Sequence, residues 1–211
     1  MPAAPPTRPR LRARYHVRRR AIGDAAARVF AERGYHATSV AALLDATGLS
    51  AGALYHYVAT RDDLLVLICD ELMDPLLDRA RAIVAAGEED PSAQLRSVLH
   101  AWLRHIARHL DHMRVFQQER HVIERDPRWR EIRAKRLEFE RIVDGVLARL
   151  EERCSGAVPD RRLTLLALLG MVNYTATWFR PGGRSSAAQI ADSYCDLVLN
   201  AYSPDGGRDE R

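Results

Sequence analysis

Three observations predict an all-α fold. Apolar residues recur at helical spacing along almost the whole chain, and no alternating run of β-branched residues argues for a strand. A pair of very short periodic segments also meets at a single glycine, Gly48, where a helical turn and not a hairpin fits the pattern.

The elements follow in order. Residues 1–14 are rich in Pro and Arg and read as a disordered basic arm. Ile22, Ala26, Val29 and Phe30 then form one helical stripe, which Gly34 ends. Thr38 or Ser39 can cap a short helix whose inward side is Val40, Leu43 and Leu44; Gly48 breaks it, and Ser50 caps a second short helix with Leu54 facing in. Two short helices joined by a glycine turn make a helix-turn-helix.

Thr60 with Asp63 reads as a capping box that starts a longer helix reaching about Ala86, with a kink or break expected near Asp74 because Pro75 lacks a backbone donor. The acidic GEEDPS segment, residues 87–92, is a loop. Leu95, Leu99, Trp102, Ile106 and Leu110 mark the next stripe, followed by a shorter element from Val115 to Ile123 that Asp126 and Pro127 end. Trp129, Ile132, Arg136, Phe139, Val143, Val146 and Leu150 give another, stopping near Cys154 to Gly156. Leu163 to Val172 is apolar nearly all round, so that helix is covered on more than one side. After RPGGRSS comes an amphipathic helix carrying Ile190, Ala191, Tyr194, Leu197, Val198 and Ala201, and then a tail, 203–211, that reads as disordered.

A chain of 211 residues with 47% hydrophobic content can bury a sizeable core and is not a disordered polymer. No apolar run is long enough to span a bilayer, and none follows the basic start as in a signal peptide, so a soluble cytoplasmic chain without a membrane partner is expected. Cys69, Cys154 and Cys195 lie far apart, which suits a reducing compartment. The net charge of +4 is unevenly spread: residues 1–35 hold nine arginines against Asp24 and Glu32, a net +7, which leaves −3 for the rest. A polyanion docking near the N-terminus is the natural reading.

Catalytic and metal chemistry finds little support. His105, His109 and His112 lie at helical spacing with His121 nearby, but Arg104, Arg108 and Arg114 adjoin them and no carboxylate is paired with them in the sequence, so no metal site is expected. The nucleophile-elbow, zinc-protease and phosphate-loop patterns are absent, so neither an enzyme nor a cofactor is expected. RPGGRSS reads as a tight interhelical turn ahead of a phosphate cradle.

The stretch AARVFAERGYHATSVAALLDATGLSAGALYHYVATRDDLL, within Arg20 to Leu65, resembles the DNA-binding domain of the tetracycline-repressor (TetR) family of bacterial regulators, with the spacing kept from Phe30 through Gly48-Leu49-Ser50 to Leu54-Tyr55. The resemblance implies a DNA-binding domain over 15–60 and a ligand-binding and dimerisation domain over 61–202. By the same resemblance, Tyr55 and His56 contact backbone phosphates, as do Thr38 and Ser39 from the start of the second helix and Arg61 from the start of the fourth. Tyr57 has two readings, a phosphate contact or packing inside the small domain. Ala41 and Ala51 stand where members often carry basic or polar residues, so base readout would rest on Ser50, Gly52 and Ala53 together with DNA shape.

The segment Leu169 to Leu199 resembles a subset of such regulators that control fatty-acid and sterol breakdown, several of which answer to acyl-coenzyme A thioesters. On that reading Trp102, Phe116, Tyr174 and Trp178 line an apolar slot, Asn173 is a polar anchor, and Arg120, Arg125, Arg180 or Arg184 neutralises coenzyme phosphates at its mouth. The alternative gives the aromatics to the core and the arginines to surface pairs. A homodimer through Leu165, Leu169, Tyr194, Leu197 and Val198 is expected. The function so implied is a repressor that releases its double-stranded operator when a small apolar molecule binds; the alternative is a DNA-binding regulator that activates or has no small-molecule inducer.

Overall fold

The structure, a computed structural model, describes residues 6–121, 129–154 and 158–202. The expected end of the sixth element at Ile123 to Pro127, the stop at Gly156, and the tail 203–211 lie outside the described residues. Among the described residues nine helices occur: α1 (Pro9–Arg33), α2 (Val40–Thr47), α3 (Ala51–Tyr57), α4 (Arg61–Ala85), α5 (Pro91–Arg108), α6 (Leu110–Gln118), α7 (Arg130–Arg153), α8 (Arg161–Trp178) and α9 (Ala187–Ala201). None is long and apolar enough to cross a membrane.

The chain divides into two compact units, Met1–Asp74 with His109–Arg133, and Pro75–Arg108 with Ala134–Arg211. The division therefore falls inside α4, where the sequence placed it at residue 61, because α6 packs on α1 and joins the N-terminal unit.

In that unit α1 starts at Pro9, so residues 9–14 are helical and not part of an arm. The cause is legible in the side chains. Nothing between Leu11 and Gly34 breaks a helix, Pro9 occupies the first turn where its missing donor is harmless, and the stripe Ile22, Ala26, Val29 extends back seven residues to the buried Tyr15. The Tyr15 ring lies 5.1 Å from that of Tyr57 and 6.2 Å from His56, so the start of α1 is held against α3. Tyr15→Ala is expected to cost about 2 kcal/mol of stability and to let residues 9–14 exchange their amide hydrogens much faster, read by hydrogen-exchange mass spectrometry. Unchanged exchange there would show that Tyr57 and Tyr15 do not anchor the helix.

The capping box forms as expected. Asp63 N–H donates to Thr60 Oγ1 at 3.0 Å, while Asp63 Oδ2 accepts from the Ala59 and Thr60 amides at 3.0 and 2.9 Å. Pro75 does not break α4, because Leu72, Met73, Leu76 and Leu77 on either side of it are buried and hold the helix through the lost hydrogen bond.

In the C-terminal unit α9 packs along α5 and α8 packs on both. The α5–α9 contact is apolar within, through Leu95, Leu99, Ile190, Ala191, Cys195 and Val198, and edged by ion pairs from Arg96 to Asp196 at 2.6 Å and His100 to Asp192 at 2.7 Å. Burial pushes the Cys195 thiol up to about 12, so this free cysteine stays an unreactive thiol.

Candidate nucleic-acid interface and ligand region

The α2–α3 pair is built by local chemistry. Ser39 Oγ accepts from Ala42 N–H at 3.2 Å and Ser50 Oγ from Ala53 N–H at 3.4 Å, so both hydroxyls cap their helices. Gly48 turns the chain between them at φ +63°, in the left-handed region open to glycine. Leu43 and Leu54 are buried and pin the pair to the domain, which turns Ala51, Gly52, Tyr55 and His56 to the outside. A side chain at Gly52 would meet nothing within 4 Å. Ala53 is half-buried, and Ser39 and Ser50 are exposed.

Three of the expected phosphate contacts are otherwise engaged. Thr38 is only 3% exposed and its hydroxyl donates to Gly34 O at 2.7 Å, closing the end of α1; its position before the Ser39 cap makes this the shorter reach. Arg61 Nη1 donates to the carbonyls of His36 at 3.3 Å and Thr38 at 3.1 Å, and its guanidinium lies 4.6 Å over the Tyr35 ring. It fixes the loop that enters α2. Tyr57 is half-buried with its ring packed against Tyr15.

Tyr35, which the sequence reading passed over, is the hub beneath this loop. It is buried against Phe30, and its hydroxyl donates to Asp62. Burial, with the Asp62 carboxylate second, pushes its hydroxyl up to about 12. The signal was present in its position directly after Gly34, where a ring folds back on the helix that has just ended.

The expected ligand set is dispersed. Trp102 is buried in the C-terminal unit with its ring edge-on to Phe139, centroids 4.7 Å apart. Phe116 is buried on α6, in the N-terminal unit. Asn173 is half-buried and Arg120 exposed, while Arg125 lies outside the described residues. Tyr174 and Trp178 do not line an interior slot: they are 64% and 45% exposed, on the outer face of α8. The reason is helical phase, since Leu165, Leu168, Val172 and Ala176 take the inward side. Arg180 donates to the carbonyls of Thr177 and Phe179 and closes its own turn. An open cavity of about 560 Å³ lies beside α7 and α8, but Arg161 crosses it to Asp144 at 3.2 Å and Glu151 at 2.8 Å, a charged lining unsuited to an acyl chain.

Of the expected dimer residues, Leu165 and Val198 are buried within the chain, Leu169 and Tyr194 are half-buried, and Tyr194 shares a 3.0 Å hydrogen bond with Thr175. Leu197 alone is well exposed, at 62%. On α8 and α9 the large apolar side chains left exposed are Leu163, Leu166, Tyr174 and Trp178, at helical spacing on α8, with Leu197 on α9.

Residues 22–68 match the family model described as bacterial regulatory proteins, tetR family, and residues 88–202, more than half of the chain, match the tetracyclin repressor-like C-terminal domain. The chain belongs to the TetR family. It is accordingly a DNA-binding regulator of transcription and not an enzyme. Among its TetR-family relatives, the transcriptional repressor KstR2 of Mycobacterium tuberculosis is 27% identical over 198 residues, 93% of this chain and 98% of that protein. KstR2 of Rhodococcus jostii is 29% identical over 187 residues, 88% and 91% of the two chains. The structure of the M. tuberculosis protein, described as a ketosteroid transcriptional regulator, superposes with a TM-score of 0.81 over 89% of this chain and 96% of that one, at 27% identity. That of the TetR-family regulator PfmR of Thermus thermophilus gives 0.76 over 86% and 98%, at 30% identity.

Proposed function

We propose that this TetR-family regulator is a cytoplasmic homodimeric repressor that holds a pseudo-palindromic operator through α3 and releases it when a lipid-derived acyl-coenzyme A binds the C-terminal unit. The observation that carries the DNA half is the exposed start of α3: Gly52 with open space before it, followed by Tyr55 and His56, on a unit whose α1 displays Arg10, Arg12, Arg14, Arg18 and Arg20, with Arg8 just before it. A bare helix start admits close backbone approach to phosphates, and the arginines supply the long-range attraction.

Dimerisation is supported by the exposed apolar row of Leu163, Leu166, Tyr174 and Trp178 with Leu197, beside Gly170, whose missing side chain leaves open space for a facing helix. A second copy of the same face covers it with two-fold symmetry, and a dimer presents two reading helices to successive major grooves about 34–36 Å apart. A ligand that favours another separation releases the DNA, for which a differential binding of ~1–3 kcal/mol is typical.

The ligand class is supported by the similarity to a regulator described as a ketosteroid transcriptional regulator and by the apolar interior of the C-terminal unit, where Trp102 and Phe139 are buried edge to face. Arg184, exposed in the C-terminal unit, is the cation assigned to the coenzyme phosphates. With operator DNA followed by fluorescence anisotropy, sterol-derived and long-chain acyl-coenzyme A thioesters should release the protein, the free acids should not, and Arg184→Ala should respond about tenfold more weakly. Equal release by the free acid would remove the coenzyme from the proposal, and no release by either would remove the lipid class.

A further inference from the structure

The junction of α1, α4 and α6 gathers four side chains able to bind a metal, from exposed Asp24 to buried His112, that the sequence scatters over 88 positions. Asp24 on α1, His109 just before α6 and His112 on α6 bring ligand atoms within 4.8 Å of one another. Glu71 of α4 lies outside that set but beside His112, its Oε2 3.6 Å from His112 Nε2, while Asp24 Oδ1 is 3.4 Å from the same nitrogen. All four belong to the N-terminal unit.

Two observations separate this cluster from an ordinary ion-pair group. His112 is 4% exposed, yet its Nε2, like Glu71 Oε2, is a buried polar atom with no hydrogen-bond partner. Buried nitrogen and oxygen left in this way cost free energy unless something else satisfies them. The two spacings from His112 Nε2, to Asp24 and to Glu71, are also longer than N–H···O bonds, which run to about 3.2 Å, and lie near the edge of a tetrahedron around zinc. With ligand bonds of about 2.0–2.1 Å, donor atoms sit roughly 3.3 Å apart. Glu71 reaches this place because residue 23 is glycine: a Cβ there would lie 2.5 Å from Glu71 Oε2.

We propose that Asp24, His109 and His112, with Glu71 as the fourth ligand, form a tetrahedral zinc site that clasps α1 to α4 and α6. Two carboxylates and two neutral imidazoles balance a dication, and imidazole with carboxylate is a donor set that zinc accepts. The arginines that argue against a metal in the sequence are turned elsewhere. Arg104 and Arg108 are exposed, Arg104 Nε donates to the His100 carbonyl, and Arg114 pairs with Asp111 at 3.2 Å. The remaining nearby cation, Arg20, is exposed one helical turn before Asp24. An ion here fastens the helix that carries the reading pair to the helix that leaves it, so metal occupancy stabilises the N-terminal unit directly.

Chelator-stripped full-length protein titrated with Co(II) tests the site without DNA or inducer. The expected result is one Co(II) per chain with the intense visible bands of tetrahedral nitrogen and oxygen coordination, displaced by Zn(II), and a melting temperature raised by Zn(II). Asp24→Asn keeps the shape of an exposed side chain and His109→Gln that of a half-buried one, so both should fold. Each should weaken Co(II) binding by more than the roughly 10–100-fold that loss of an outer partner costs. His36→Gln, in the separate group of His36, Glu119 and His121, should leave the spectrum unchanged. No Co(II) binding, a weak octahedral spectrum, or a spectrum lost in His36→Gln and kept in Asp24→Asn would overturn the proposal.

Discussion

Gly52→Glu is expected to lower affinity for operator DNA by roughly 100-fold or more, about 3 kcal/mol, while the protein stays folded. The site is exposed near the start of α3, and a side chain there meets nothing of the protein within 4 Å, so glutamate costs little in packing. Its carboxylate would instead stand where the helix start meets phosphate, exchanging a favourable N-terminal field for repulsion at close range. Gly52→Ala is the control: a methyl group adds no charge, and a loss well below that of glutamate separates electrostatics from bulk. Anisotropy titrations at two salt concentrations read the effect, alongside a melting curve. Wild-type affinity in Gly52→Glu would take α3 out of the interface.

The double substitution Leu166→Glu with Leu197→Glu is expected to convert the protein to monomers and to lower operator affinity at least as far. Both side chains are exposed, 46% and 62%, on the apolar face of α8 and α9, so charges there are hydrated in a monomer. In a two-fold interface each substitution occurs twice, which buries four carboxylates against apolar neighbours. The pair Leu165→Glu with Val198→Glu tests the opposite, since both are buried inside the chain and should unfold it instead. Light scattering distinguishes the outcomes: an intact folded dimer in the first pair would move the interface off this face.

Much of the N-terminal unit was legible because its determinants are local. Gly48 with Ser39 and Ser50, and Thr60 with Asp63, set helix starts and stops through contacts within four residues, and the structure forms each of them. Tyr15 was missed because the charge of its neighbours suggested a disordered arm, although its spacing from Ile22 continues the buried stripe. The family resemblance makes Thr38 and Arg61 phosphate contacts at the starts of two helices. Only the fold reveals that Gly34, His36 and Thr38 carbonyls lie close enough to claim them.

The sequence by itself determined the all-α class, the helix-turn-helix and its caps, the family, and the concentration of positive charge at one end, since each depends on spacing along the chain. The tertiary structure alone decided which side of α8 faces inward, because a helix apolar nearly all round has no preferred face until neighbours cover one. Leu165, Leu168 and Val172 went in, and Leu163, Leu166, Tyr174 and Trp178 stayed out. It also decided that Asp24 meets His109 and His112 and that Glu71 meets His112, as no periodicity relates side chains so far apart in the chain; packing of α6 on α1 brings Asp24 within reach.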